Sequence, residues 1–251
     1  MTQRVPEGYT RLRVGDAEAV ARDDAAAGVR EVLGRGTLYD FGTTHPERRE
    51  LAGRRPAYAI PLPSGGPRVV VRRSQHGGLL AALTRDLFFP PTRAPYELLV
   101  SLILARAGVP TPPVIAYAVY PVGPLFRRSD VATAEVRGED LRSVLGSAPN
   151  EPASAGWLTP VSELLKGLAR AGAWHPDLNI KNILLAPDDA GATRAYVLDV
   201  DRISFHPPED PNVRSANFQR LERSLRKWSE QGAIAVDARV VGRLRELAFS
   251  T

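Results

Sequence analysis

Apolar residues recur along the chain in two rhythms, and the change from one to the other divides it. In the first half, short apolar runs are punctuated by glycine and proline, as strands are; in the second, helical spacing takes over. The runs "AYAIPL" and "RVVVRR", joined by "PSGGP", predict a β-hairpin. Upstream, "AEAVARDDAAAGVREVLGRG" predicts an amphipathic helix over 17–33, closed by Gly34 and Gly36. The stretch "YELLVSLILARAG" predicts a helix over about 95–107, ended by a glycine and then prolines. "VIAYAVYPV" and "DVATAEVRG" read as strands. From Leu141 onward "VSELLKGLARAG" and "NFQRLERSLRKW" are amphipathic helices, the latter with Phe218, Leu221, Leu225 and Trp228 on one side. "AYVLDVDRISF" reads as a buried strand followed by a polar turn. The order predicts an α+β chain, with a strand-rich part over 1–134 and a mainly helical part over 135–251, meeting at a hinge in "EVRGEDL".

Composition narrows the classes without choosing among them. With 251 residues, of which 43% are hydrophobic and 24% charged, the chain reads as a soluble globular protein with a substantial core. It has no cysteine, which excludes disulfides and thiolate metal sites, and its four histidines are scattered. No stretch reaches the roughly 20 apolar residues a membrane span needs, and "MTQRVPEGYTRLRVGD" lacks the apolar core of a signal peptide. A cytoplasmic protein is expected. The net charge of +5 suits an anionic partner such as a nucleotide, a phospholipid or a nucleic acid, and its sign alone does not choose among them. Its cations are nearly all arginine: the only lysines are Lys166, Lys181 and Lys227.

Chemistry concentrates in "HPDLNIKNILL", where His175, Asp177 and Asn182 form HxDLxxxN ahead of the apolar "ILL". Phosphoryl transfer to an alcohol needs an aspartate to orient the hydroxyl and take its proton. It also needs an amide oxygen and a second carboxylate to hold magnesium on the nucleotide phosphates. Asp177, Asn182 and Asp199, the last at the end of the strand in "VLDVD", supply those groups in that order. The same residues would also make an ordinary turn before a buried strand. The hairpin expected between "NILL" and "YVLDV" and the strand and helix order upstream favour the catalytic reading.

The chain resembles the protein-kinase-like superfamily, and within it the lipopolysaccharide core kinases, closest to the 3-deoxy-D-manno-octulosonic acid (Kdo) kinase family. The likeness rests on "RVVVRRSQHGGLL", "LTRDLFFPPTRAPYELL", "AGVPTPPVIAY", "HPDLNIKNILL", "VLDVDR" and "NFQRLERSLRK", in that order over about 50–230. It implies a bilobal protein-kinase-like fold: a small antiparallel-sheet N-lobe carrying one αC-like helix, and a mainly helical C-lobe. It also implies ATP and Mg2+ as cofactors. Arg72 stands where the superfamily has its phosphate-anchoring lysine, and Glu97 at the helix position that pairs with it. Arg73, on the opposite strand face, competes with Arg72 for that role. Gly53 is the candidate phosphate-loop contact, and the backbone at Glu135 and Val136 the candidate adenine contact. Asn182 and Asp199 are the implied metal ligands, Asp177 the implied base and His175 a brace for the loop. Asn179, two residues after the base, resembles small-molecule and lipopolysaccharide kinases. The implied acceptor is a lipid-linked sugar, through Kdo O-4 on the lipid A precursor; nucleic acid is not expected as a partner. A kinase for heptose or another small hydroxylated molecule, and a nucleotide-binding pseudokinase, stay open as alternatives. Phe88 and Phe89 are either core residues or, with the arginine excess, a peripheral contact with the inner membrane.

Overall fold

The computed structural model describes residues 4–51, 56–75, 86–147, 155–188 and 190–250. Gly53 lies outside them. The chain divides into two compact units: residues up to 99 together with 113–135, and 100–112 together with 136 onward.

The first unit is built on one seven-stranded antiparallel sheet of order β1-β2-β6-β7-β5-β4-β3. Its strands are β1 (Tyr9–Val14), β2 (Ala17–Arg22), β3 (Arg49–Leu51), β4 (Ala57–Pro61), β5 (Arg68–Arg73), β6 (Val114–Val122) and β7 (Phe126–Ala134). The hairpin expected from "AYAIPL" and "RVVVRR" is β4–β5, paired Ala57 to Arg72 through Pro61 to Arg68. The helix expected over 17–33 is only half helical. Ala17–Arg22 is β2, paired with both β1 and β6, and the helix α1 is confined to Ala26–Leu33. Alanine's helix preference misled the reading; what decides is alternation, with Ala17, Ala19 and Ala21 buried and Glu18 exposed. Gly15, at φ 56, makes the turn that returns the chain from β1.

A helix that the apolar pattern did not announce, α2 (Leu38–Thr44), caps this sheet. Its first amides are all taken: Leu38 N–H by Tyr120 Oη at 2.9 Å, Tyr39 N–H by Asp130 Oδ2 at 3.0 Å, and Asp40 N–H by Thr37 Oγ1 at 3.1 Å. Asp130 is fully buried, and burial holds its carboxyl above the usual range, against the opposing pull of the guanidinium of Arg73, its cross-strand partner on β5. The two meet at 3.1 Å, and Arg73 also lies 4.5 Å over the Tyr39 ring. Arg73 is thereby committed to the α2 side of the sheet.

Helix α3 (Ala94–Arg106) starts in the first unit and continues into the second. Phe88 and Phe89 part company. Phe88 is buried and bridges Arg127 through both backbone bonds, whereas Phe89 is 66% exposed and stacks on Phe126 at 4.8 Å.

The second unit is mainly helical. It contains β8 (Glu139–Asp140), α4 (Leu141–Gly146), α5 (Leu158–Arg170), β9 (Ala173–Trp174), β10 (Ile183–Pro187), β11 (Thr193–Val197), β12 (Ser204–Phe205), α6 (Pro211–Glu230) and α7 (Ala238–Phe249). The hairpin expected of "NILL" with "YVLDV" is present, with Ile183 opposite Val197 and Leu185 opposite Ala195. Leu164 and Leu168 of α5, Leu178, Ile180 and Ile183 before and in β10, and Phe218, Leu221 and Leu225 of α6 form one core. Burying side chains of this size is worth about 1.5–3 kcal/mol each. That core fixes the ends of the loop between β9 and β10.

Candidate active site

The loop 175–182 is irregular, so its backbone amides have no ladder to satisfy them and must find partners one at a time. They do. His175 donates its own N–H to Asn217 Oδ1 at 3.0 Å, Asp177 N–H reaches His175 Nδ1 at 3.2 Å, and Leu178 N–H the His175 carbonyl at 3.2 Å. Ile180 N–H goes to Ser224 Oγ at 3.2 Å and Lys181 N–H to Asn179 Oδ1 at 2.9 Å, while Asn182 N–H takes the Asn179 carbonyl at 2.9 Å. Leu178 and Ile180, both fully buried, pin the loop to the core between these bonds.

His175 is the centre of this arrangement. Its ring is fully buried, and because Nδ1 accepts from Asp177 N–H, the proton sits on Nε2 and is donated to the Leu198 carbonyl at 3.0 Å. Leu198 is held from the other side too, its N–H reaching the Asn182 carbonyl at 2.9 Å. The next residue, Asp199, adopts a left-handed backbone at φ 54 and ψ 48. A non-glycine residue there is strained, although aspartate tolerates it better than most, and such strain gathers at functional sites. Thus His175, Asn182 and Asp199 are joined through the Leu198 peptide. Asp177 is tied in by its carbonyl, which accepts from Asn182 Nδ2 at 2.9 Å and Asn179 Nδ2 at 3.0 Å. With its amide nitrogen so engaged, Asn182 turns Oδ1 the other way. An amide oxygen and a carboxylate that leave the remaining positions to nucleotide phosphates and water are the donor set magnesium favours. No cluster of three or more acidic or histidine ligands exists among the described residues, so a dedicated all-protein cage is not what these residues build.

Helix α6 lies along the loop and contributes three residues that apolar periodicity alone did not single out. Asn217 holds His175 and also donates to the Ala173 carbonyl at 2.8 Å, and Ser224 holds Ile180. Between them Arg220 meets Asp177, its Nη2 3.0 Å from Oδ1. The spacing 217, 220, 224 is one helical face. Aligned polar residues at that spacing in "NFQRLERSLRK" were the available signal.

The first unit carries the other candidate residues. On β5, Arg72 forms an ion pair with Glu97 of α3 at 2.5 Å, with side chains 28% and 4% exposed. Strand alternation separates it from Arg73, which is spent on Asp130. Glu135 is doubly paired, to Arg68 at 2.6 Å and Arg49 at 2.7 Å. Burial would raise its carboxyl, but these two guanidinium groups outweigh burial and hold it below the usual range. Its amide is donated to the Arg68 carbonyl at 3.1 Å, which takes that N–H out of consideration for a base. A turn next to the loop also needs its glycine: Gly172, at φ 61, would press a Cβ into the His206 carbonyl.

A chain whose β10–β11 hairpin presents such a loop, and whose β5 arginine pairs with a helix glutamate, is a phosphotransferase of protein-kinase-like fold. A solved structure described as WaaP in complex with acyl carrier protein shares that fold, with a TM-score of 0.52, 19% identity, and 80% of this chain and 78% of that one covered. The chain belongs to the lipopolysaccharide kinase (Kdo/WaaP) family, whose family model matches residues 49–238. A 3-deoxy-D-manno-octulosonic acid kinase of Xanthomonas oryzae pv. oryzae is 33% identical over 184 residues, covering 71% of this chain and 69% of the relative. One from Xylella fastidiosa is 29% identical over 188 residues, with 72% of each chain covered. Membership of a kinase family makes this chain an ATP-dependent phosphotransferase.

Burial holds the His175 ring below the ordinary histidine value of 6.5, against the pull of the Leu198 carbonyl and nearby aspartates. Above that value the ring is neutral in both folded and unfolded chains. Below it the unfolded chain takes up a proton that the folded one resists, so stability falls with pH. Thermal unfolding followed from about pH 7.5 down to pH 5.5 should show this decline, and His175→Asn should flatten its slope. Equal slopes for both proteins would contradict it.

Proposed function

We propose that the protein transfers the γ-phosphoryl group of ATP to a hydroxyl of Kdo, at O-4, on the lipopolysaccharide inner core. The observation that carries this reading is the hydrogen-bonded unit of His175, Asp177, Asn182 and Asp199; the Kdo kinase relatives supply the acceptor.

Asp177 orients the sugar hydroxyl and accepts its proton as the phosphorus–oxygen bond forms. Asn182 Oδ1 and the Asp199 carboxylate would hold magnesium, which when bound neutralises charge on the phosphate oxygens. Arg72, aimed by the buried Glu97, is the phosphate-binding cation. Arginine keeps its charge through any pH the protein meets and offers a fork that matches phosphate oxygens. With Glu135 N–H engaged by Arg68, adenine recognition falls to the Glu135 carbonyl and the Val136 backbone. Gly53 is retained as the phosphate-loop contact.

A lipid-linked acceptor brings the enzyme to the cytoplasmic face of the inner membrane. No described helix is long and apolar enough to cross a membrane. Phe89 and Leu125, 66% and 61% exposed, are the apolar residues suited to peripheral contact, next to Arg127 and Arg128. Phe89→Ser should weaken binding to phosphatidylglycerol vesicles about tenfold or more, the cost of losing a phenyl ring that the membrane contact would bury. Unaltered co-sedimentation would remove Phe89 from the membrane contact.

The roles of the two aspartates separate cleanly. Asp177→Ala should lower phosphoryl transfer by about 10²–10⁴-fold while magnesium-dependent ATP binding stays close to wild type. Asp199→Ala should weaken that binding itself. Retained turnover in the first variant would exclude Asp177 as base, and unchanged nucleotide affinity in the second would exclude Asp199 as metal ligand.

A further inference from the structure

Resting on the Kdo reading above, we propose that Arg220 is the residue that selects an acidic sugar, by binding the carboxylate of the Kdo acceptor beside the hydroxyl that Asp177 activates.

The pair Arg220–Asp177 engages the proposed base itself, and it is unlike the arginine–carboxylate contacts whose acid is buried. Arg72–Glu97 and Arg73–Asp130 each bury the acid almost completely, and both knit secondary structure together. Arg220 and Asp177 are 42% and 40% exposed, so water screens their attraction and the pair separates at little cost. Nor does the loop need the contact in order to fold. Its amides are already taken by His175, Asn179, Asn217 and Ser224, and its apolar residues by the core.

A guanidinium against the proposed base also stands in the way of catalysis as long as it stays there, because it occupies Oδ1, one of the two oxygens that the acceptor hydroxyl has to reach. The placement makes chemical sense if the acceptor brings a negative charge of its own. Kdo is a 2-keto acid sugar, whose carboxylate can accept two parallel N–H bonds from a planar guanidinium. Among the described residues the only polar partner of Arg220 is Asp177, through one N–H to Oδ1 out of five N–H groups on a guanidinium. When the sugar acid docks, the cation turns toward it, and Asp177 is released next to the hydroxyl. A neutral sugar would leave Asp177 paired. The same residue thereby favours the acidic acceptor and withholds the base from a neutral one.

Steady-state kinetics on a matched pair of acceptors test this: a Kdo glycoside with its free carboxylate and the methyl ester of the same glycoside. Magnesium–ATP affinity and thermal unfolding of each variant are measured alongside. For Arg220→Met the acceptor KM of the free acid should rise roughly 10- to 100-fold, the loss of a charge-assisted hydrogen bond, whereas kcat/KM for the ester should rise above wild type, because Asp177 is no longer held by the guanidinium. Arg220→Lys, which keeps the charge without the fork, should fall between, and it decides the matter if Arg220→Met unfolds. An equal loss on acid and ester, or a fall in kcat alone, would overturn the proposal and leave Arg220 a positioning residue for Asp177. Wild-type protein that phosphorylates some other sugar but neither Kdo glycoside would overturn the Kdo reading itself, and this proposal with it.

Discussion

One neutral imidazole ties the candidate site together. The ring of His175 accepts from the amide of Asp177 and donates to the carbonyl of Leu198, so the orientation of one aspartate is linked to that of the other through a single buried group. The segment that carries Asp177 is neither helix nor strand, yet the proposed phosphoryl transfer tolerates little misplacement of its base. The chain meets that demand by turning side chains inward to serve the loop's backbone and anchoring its ends with Leu178, Ile180 and Ile183. The strained backbone of Asp199 is sustained by the same means, since the preceding residue, Leu198, is bonded through both its N–H and its carbonyl.

Three arginine–aspartate or arginine–glutamate pairs show how exposure sorts equal chemistry into different jobs. Arg73 and Asp130 are cross-strand, with the acid fully buried and the cation largely so, and they latch α2 to the sheet. Removing either would strand the other inside the protein, at a cost of about 3–5 kcal/mol. Arg72 and Glu97 are a half-open version, with the acid buried and the cation reaching solvent, as suits the phosphate-binding role proposed for Arg72. Arg220 and Asp177 are open on both sides and worth about 0–1 kcal/mol as a pair.

How far the sequence discloses this depends on whether a feature is written in local pattern or in tertiary pairing. The helices at 94–106 and 211–230 and the β4–β5 and β10–β11 hairpins are long or sharply bounded, and their residues announce them. The β1–β2 hairpin is not legible in that way, because six alanine-rich residues suit a helix equally well until β6 supplies a second strand neighbour. Within the site, the HxDLxxxN spacing and the aspartate at a strand end are enough to bring Asp177, Asn182 and Asp199 to mind together. Strand alternation also separates Arg72 from Arg73, but only α2, which lacks a strong apolar stripe, explains why Arg73 is the one committed elsewhere. Asn217, Arg220 and Ser224 could not be given partners from sequence, since the residues they serve lie some 40 positions away and nothing local records the contact.

The central claim is that this chain phosphorylates a Kdo hydroxyl. Its most direct test is to incubate the purified protein with magnesium and ATP against Kdo-bearing lipid A precursor, heptosylated core and a generic protein substrate, and to locate any new phosphate by mass spectrometry and phosphorus NMR. The account predicts one phosphate ester on the Kdo residue, at O-4, formed with matching loss of ATP. Phosphate on heptose or on protein with the Kdo left unmodified, or no transfer to any of the three, would contradict it.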